Sequence, residues 1–106
     1  MGLFNRLFKI RKERFIYLIQ DMYALKDGGC VLFGQVLHGK IRAGSMLEYC
    51  DQDKNRIFSC ILQKINQNHQ VVDEASKGGA YTAHYGFYIQ DHAMDEYEQD
   101  NYLILR

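Results

Sequence analysis

Apolar residues along this chain come in short runs closed by glycines or polar clusters, a spacing that predicts strands. Residues 16–25 are apolar and aromatic, and Lys26-Asp27-Gly28-Gly29 ends them as a turn, because adjacent glycines accept a positive φ. Cys30 to Leu37 predicts a second strand. His38 to Ser45 reads as a tight connection bracketed by Gly39 and Gly44, with Ile41 free to point inward and plug one end of the core. Met46 to Cys50 predicts a third strand and Asp51 to Asn55 a polar turn. Arg56 to Ile65 alternates Ile57, Ser59 and Ile61 with Phe58, Cys60 and Leu62. Both sets are largely apolar, which predicts a strand covered on both faces. Asn66 to Lys77 reads as a polar loop anchored by Val71 and Val72. Gly78-Gly79 then leads into an aromatic strand, Ala80 to Ile89. After an acidic stretch over 91–100, Tyr102 to Leu105 predicts a last strand.

Six or so short strands at regular spacing predict an all-β domain, a closed, Greek-key-like barrel, since closure removes the exposed edges of such apolar strands. The N-terminus has a different pattern. On a helix, Leu3, Leu7 and Ile10 fall on one line with Phe4 and Phe8 beside it, opposite Arg6, Lys9 and Lys12. Arg11 interrupts the apolar arc. The expected organisation is a basic amphipathic helical segment over 1–14 and a barrel over 15–106. A helix this short is marginal unless it docks. Leu3, Phe4, Leu7 and Phe8 would be its contact face, against the barrel, another chain or a membrane surface.

Composition sharpens this reading. The chain has 106 residues, 47% of them apolar, enough for one core and too apolar for a disordered chain. Formal charge is zero, but unevenly spread. Arg6, Lys9, Arg11, Lys12 and Arg14 against Glu13 make the first residues basic, which leaves the barrel acidic, opposite to the usual sign of a nucleic-acid binder. Cys30, Cys50 and Cys60 are odd in number and widely spaced, which predicts reduced, buried thiols and a cytoplasmic setting. No apolar run reaches the length of a membrane span, and no signal-peptide pattern is visible. Contact with the inner face of a membrane would be peripheral.

The stretch from Ile19 to Gly44, with Gly29, Val31, Gly34, Val36, Gly39, Ile41 and Gly44 in one ungapped block, resembles the second domain of elongation factor Tu and other translational GTPases. Downstream, Val71-Val72-Asp73-Glu74-Ala75-Ser76-Lys77-Gly78 is similar to that family's apolar-pair, acidic, Gly-terminated loop. The resemblance covers residues 15–106. It implies a barrel with Gly34 where two strands cross closely, standing here without a GTPase. It also implies a pocket which in that family holds the aminoacylated end of transfer RNA. The matching first-strand positions are Gln20, Asp21 and Tyr23. Asn66 stands in place of a Glu, His69 of an Arg and Asn68 of a phenylalanine, so the charges of that pocket are gone.

Other chemistry finds little support. His38, His69, His84 and His92 lie on different elements without metal-ligand spacing. Asp73-Glu74 and Asp95-Glu96 are adjacent carboxylates, which is not a catalytic geometry. The acidic residues of 91–100 lack the central glycine of a calcium loop. No phosphate-binding loop is present. Tyr81, Tyr85, Phe87 and Tyr88 read as core on one side, or as an exposed platform for a peptide or a base. The expected function is a non-enzymatic binding or adaptor module without a cofactor. Its partner is a protein, met through Gln20, Asp21, Tyr23, Asn66, His69 and Tyr85. The alternatives are an RNA- or transfer-RNA-binding accessory factor, disfavoured by the acidic barrel, and a membrane-peripheral protein held by its N-terminal helix.

Overall fold

A computed structural model describes residues 13–77 and 84–106. It contains eight strands: β1 (Phe15–Ala24), β2 (Cys30–Arg42), β3 (Met46–Cys50), β4 (Arg56–Gln67), β5 (Gln70–Val72), β6 (Glu74–Ser76), β7 (His84–Ile89) and β8 (Tyr102–Leu105). Six of them pair in the order β1-β8-β3-β4-β7-β2, and β2 pairs back onto β1. The ring is therefore a closed barrel, and its closure leaves no free edge among those six. The two short strands stand outside the ring, β5 against β4 and β6 against β2.

Alternation sets the core. Phe15, Tyr17 and Ile19 of β1 point inward and meet Leu32 and Val36, Leu47 and Tyr49, Cys60, Leu62 and Ile65, Tyr85, Phe87 and Ile89, and Leu103. Each large side chain so buried contributes about 1.5–3 kcal/mol. Tyr17 is stacked on Phe87 with ring centroids 4.0 Å apart. Its hydroxyl donates to the Tyr85 carbonyl at 2.6 Å and faces the Leu32 carbonyl at 3.1 Å, so the buried phenol is satisfied.

Several boundaries differ from the sequence expectation. The expected connection at His38–Ser45 is mostly strand, because β2 runs on to Arg42. Gly39, at φ 75°, kinks it past β1, where a Cβ would land on the Arg14 carbonyl oxygen. Beyond the kink, Lys40, Ile41 and Arg42 pair with β6, and Ile41 is buried as expected. The reversal itself is confined to Ala43–Ser45. The expected loop at 66–77 is a hairpin with a short added strand. β4 continues to Gln67, and Asn68 and His69, at φ 52° and 65°, form a two-residue turn into β5. Positive φ at both central positions matches the twist of the flanking strands. Val71 is exposed and anchors nothing, while Val72 packs on the core.

β4 is not covered on both faces either. Ile57 and Ile61 are exposed with Met46 beside Ile61 on β3, because a six-stranded ring has one interior and this side of β4 faces away from it. The helix expected over 1–14 falls almost wholly outside the described residues. Its last two positions, Glu13 and Arg14, are not helical and lead directly into β1. Among the described residues the one helical turn is the 3₁₀ turn Met94–Glu96. Chain entry and exit lie together: Arg106 meets Glu48 at 2.9 Å and Glu13 at 3.3 Å, and its guanidinium donates to the Lys54 carbonyl at 2.6 Å.

Candidate functional site

The outer face of the barrel has a hollow where β4, β7 and β2 run side by side, at a position that lacks a side chain. In register, Asn66 of β4 stands opposite Gly86 of β7, which stands opposite Phe33 of β2. Gly86 adds nothing to this row, so a groove of about 530 Å³ opens there. It is lined by Gln20, Phe33, Asn66, Asn68, His69, His84, Tyr85 and Tyr88, with Gly34 and Gly86. The Phe33 ring lies over Gly86; a Cβ added there would sit 3.0 Å from its edge. Gly86→Ala should therefore displace Phe33 and narrow the groove. It should cost about 1 kcal/mol, since the half-exposed ring need shift only a few tenths of an ångström. A thermal melt lowered by less than about 8 °C, together with a shifted Phe33 ring resonance, would bear this out.

Three local devices aim the other residues. Between Ile19 and Asp21, β1 advances two residues while β2 advances one, so Gln20 is the extra residue of a bulge. Bulges redirect side chains, and this one turns Gln20 into the groove. The Asn68–His69 turn carries two more polar groups to the rim. β7 alternates so that Tyr85 and Phe87 face the core while Gly86 and Tyr88 face out. Tyr85 closes the floor; its hydroxyl is held by the main chain of Ser76, at 3.3 Å from the nitrogen and 3.4 Å from the oxygen.

Of the six residues expected to meet a partner, Gln20, Asn66, His69 and Tyr85 are brought together. Asp21 and Tyr23 are not in the lining. The Tyr23 hydroxyl donates to Asp21 Oδ2 at 2.9 Å, and the Tyr23 ring packs edge-on against Phe33 at 5.5 Å. The hydrogen bond to the Asp21 carboxylate also raises the Tyr23 pKa. The pair buttresses Phe33. The expected aromatic platform is reduced to Tyr88, since Tyr85 and Phe87 are buried and Tyr81 lies outside the described residues. The Lys64 ammonium lies 4.4 Å from the centre of the Tyr88 ring, at the edge of the site.

Among the described residues the lining contains no Lys, Arg, Asp or Glu. Its most unusual atom is Asn66 Oδ1, which is buried and has no hydrogen-bond donor among the described residues. A buried acceptor left unpaired costs about 1–3 kcal/mol. Asn68 lies where the resemblance set the pocket and Tyr88 belongs to the expected aromatic platform, while Phe33, Gln67, His84 and Gly86 also line the site and were not expected to meet a partner. The glycine interrupting Tyr85-Gly86-Phe87 was the one available signal, since glycine inside a strand often marks a close approach.

Elsewhere no reactive group stands out. Cys30, Cys50 and Cys60 are free and buried. Burial pushes the Cys30 thiol up to about 11 and Cys60 to about 12. Both folded-state values lie above the ordinary 9.0, so their protonated forms favour the fold. That contribution is complete below pH 9 and is lost as pH rises toward 11–12. The melting temperature should fall across that window, and the native protein should resist alkylation at about pH 8. Rapid labelling of Cys60 in the folded chain would contradict the buried position. Among the described residues no three His, Cys, Asp or Glu side chains converge as metal ligands, and no helix is long and apolar enough to cross a membrane.

The fold is that of a translation-factor β-barrel. The chain is similar to translation elongation factor SelB from Methanococcus maripaludis in its apo form, with a TM-score of 0.72 at 20% sequence identity. The match covers 87% of this chain and 19% of that one, a single domain of a much larger protein. At this identity the likeness is one of fold. No protein-family model matches the sequence, and no curated protein matches it.

Proposed function

We propose that the chain is a non-enzymatic binding module whose outer groove between β4, β7 and β2 receives a protein partner. The observation that carries this reading is a groove whose described lining is polar and aromatic and carries no charged side chain. It offers hydrogen-bonding and aromatic surface but no general acid or base positioned on a nucleophile. The barrel's likeness to one domain of a translation elongation factor favours a partner among translation components, by analogy of fold. A nucleic-acid partner would need cations for its phosphates, and among the described residues only Lys64, against Tyr88 at the edge, brings one to the groove.

The test is a photo-crosslinking residue placed at Asn68 on the groove rim, compared with one at Asp53 in the β3–β4 turn. The reading expects a nuclease-resistant protein adduct from position 68 and none from position 53. An adduct removed by nuclease would replace the protein partner with RNA. Equal yields from the two positions would remove the groove from consideration.

A further inference from the structure

A second outer surface of the ring, on β1 and β8, has a composition that calls for a cover. Phe15, Tyr17 and Ile19 of β1 enter the core, so Ile16 and Leu18 point outward. Leu103 of β8 faces the core, so Tyr102 and Ile104 point outward. Register sets Ile16 opposite Ile104 and Leu18 opposite Tyr102, which joins four large apolar or aromatic side chains into one patch. A sheet that is apolar on both faces is one covered on both. Burial agrees with this: Ile16, Leu18 and Tyr102 are half-buried, and Ile104 has no exposed surface although it lies outside the core cluster, whereas Ile57 and Ile61 elsewhere on the ring are exposed. Arg106, drawn to Glu48, and Lys54, 6.0 Å from the centre of the Tyr102 ring, shield the patch from the β3 side. Ile16 and Leu18 form its β1 side.

The chain carries a matching segment at the border of this patch. Residues 1–12, which lie outside the described residues, join the barrel at Glu13, and the Glu13 carboxylate is held by Lys54 and by Arg106, each at 3.3 Å. Twelve residues reach about 18 Å even when helical and further when extended, more than the roughly 13 Å length of a four-residue strand such as β8. They bring Leu3, Phe4, Leu7 and Phe8, together with the cations Arg6, Lys9, Arg11 and Lys12. Charge is complementary, because Glu98 and Asp100 are exposed just before β8. We infer that residues 2–12 fold back onto the outer face of β1 and β8, with Leu3, Phe4, Leu7 and Phe8 packed against Ile16, Leu18 and Tyr102. The barrel then covers this face with its own chain, at a place separate from the groove between β4, β7 and β2.

The experiment attaches a nitroxide to Asn5→Cys in the full-length chain and reads the loss of amide NMR signal along the barrel. Cys30, Cys50 and Cys60 are buried, so the new thiol is the one that reacts at neutral pH. The inference expects signal loss at Leu18 and Tyr102 at least as great as at Arg14, none at Val71 on β5, and recovery when the nitroxide is reduced. Loss that is greatest at Arg14 and fades steadily along β1, or no loss beyond Arg14, would overturn it, since an undocked segment broadens only what lies nearest its attachment. Leu7→Asp in the labelled chain should produce that fading pattern and leave the barrel spectrum intact, and Phe4→Asp should do the same. Undiminished loss at Leu18 and Tyr102 in both variants would overturn the apolar contact. A last sample mixes the nitroxide-bearing chain at natural isotope abundance with a nitrogen-15 chain that has no nitroxide. Signal loss at Leu18 in that mixture would assign the cover to a second copy and overturn docking within one chain.

Discussion

Gly34→Val is expected to lower the stability of the barrel by at least about 3 kcal/mol, and with it the melting temperature by more than about 12 °C. Gly34 of β2 stands between Ile19 of β1 and Tyr85 of β7. A Cβ at this position would occupy the same space as the Leu18 carbonyl oxygen and come within 3.1 Å of the Tyr17 ring. Neither obstacle can move cheaply. The carbonyl belongs to the β1 backbone next to a bulge, and the Tyr17 ring is held by its hydroxyl and by Phe87. Valine adds two methyl groups to that collision. The check is a denaturant titration of both chains, with Gly34→Ala as an intermediate step. Because the clash begins at the Cβ, alanine should already show most of the loss. An unchanged midpoint for both variants would mean that β1 and β2 are not in this register.

Gly34 also shows why the fold was legible in the sequence. Gly29, Gly34, Gly39 and Gly44 recur at a regular spacing among branched residues, and that spacing is readable from the sequence alone. The ends of β3 and the start of β8 were equally clear, because Gly44-Ser45 precedes Met46, Asp51 follows Cys50 and Asp100-Asn101 precedes Tyr102. What failed was judgement of sidedness. Ile57 and Ile61 look like core by composition, and only closure of the ring reveals that their side of β4 faces out. The groove was half legible for a related reason. Gln20, Asn66, His69 and Tyr85 were reached by position. Asp21 dropped out because the bulge at Gln20 shifts the register by one residue, and a bulge leaves no mark in residue type. Phe33 and Tyr88 come together only across Gly86, through pairings between strands distant in sequence.

Phe87→Ala is expected to destabilise the protein by about 3–5 kcal/mol, whereas Ile57→Ala should change stability by no more than about 0.5 kcal/mol. Phe87 is fully buried, stacked on Tyr17 at 4.0 Å and lying 6.2 Å from Phe15. Removing its ring leaves a cavity that the closed barrel cannot easily collapse around, because every wall of it is a hydrogen-bonded strand. It also withdraws the face against which Tyr17 rests, so the Tyr17 hydroxyl would lose its fixed aim at the Tyr85 carbonyl. Ile57 is a large aliphatic residue too, but it is 52% exposed, and shortening it returns little surface to water. The two substitutions therefore separate the inner from the outer face of the same ring. Equilibrium unfolding of both variants would measure the difference directly. A large loss from Ile57→Ala would show that this outer face is covered in the folded protein, and the site of binding would then have to be sought there as well as at the groove.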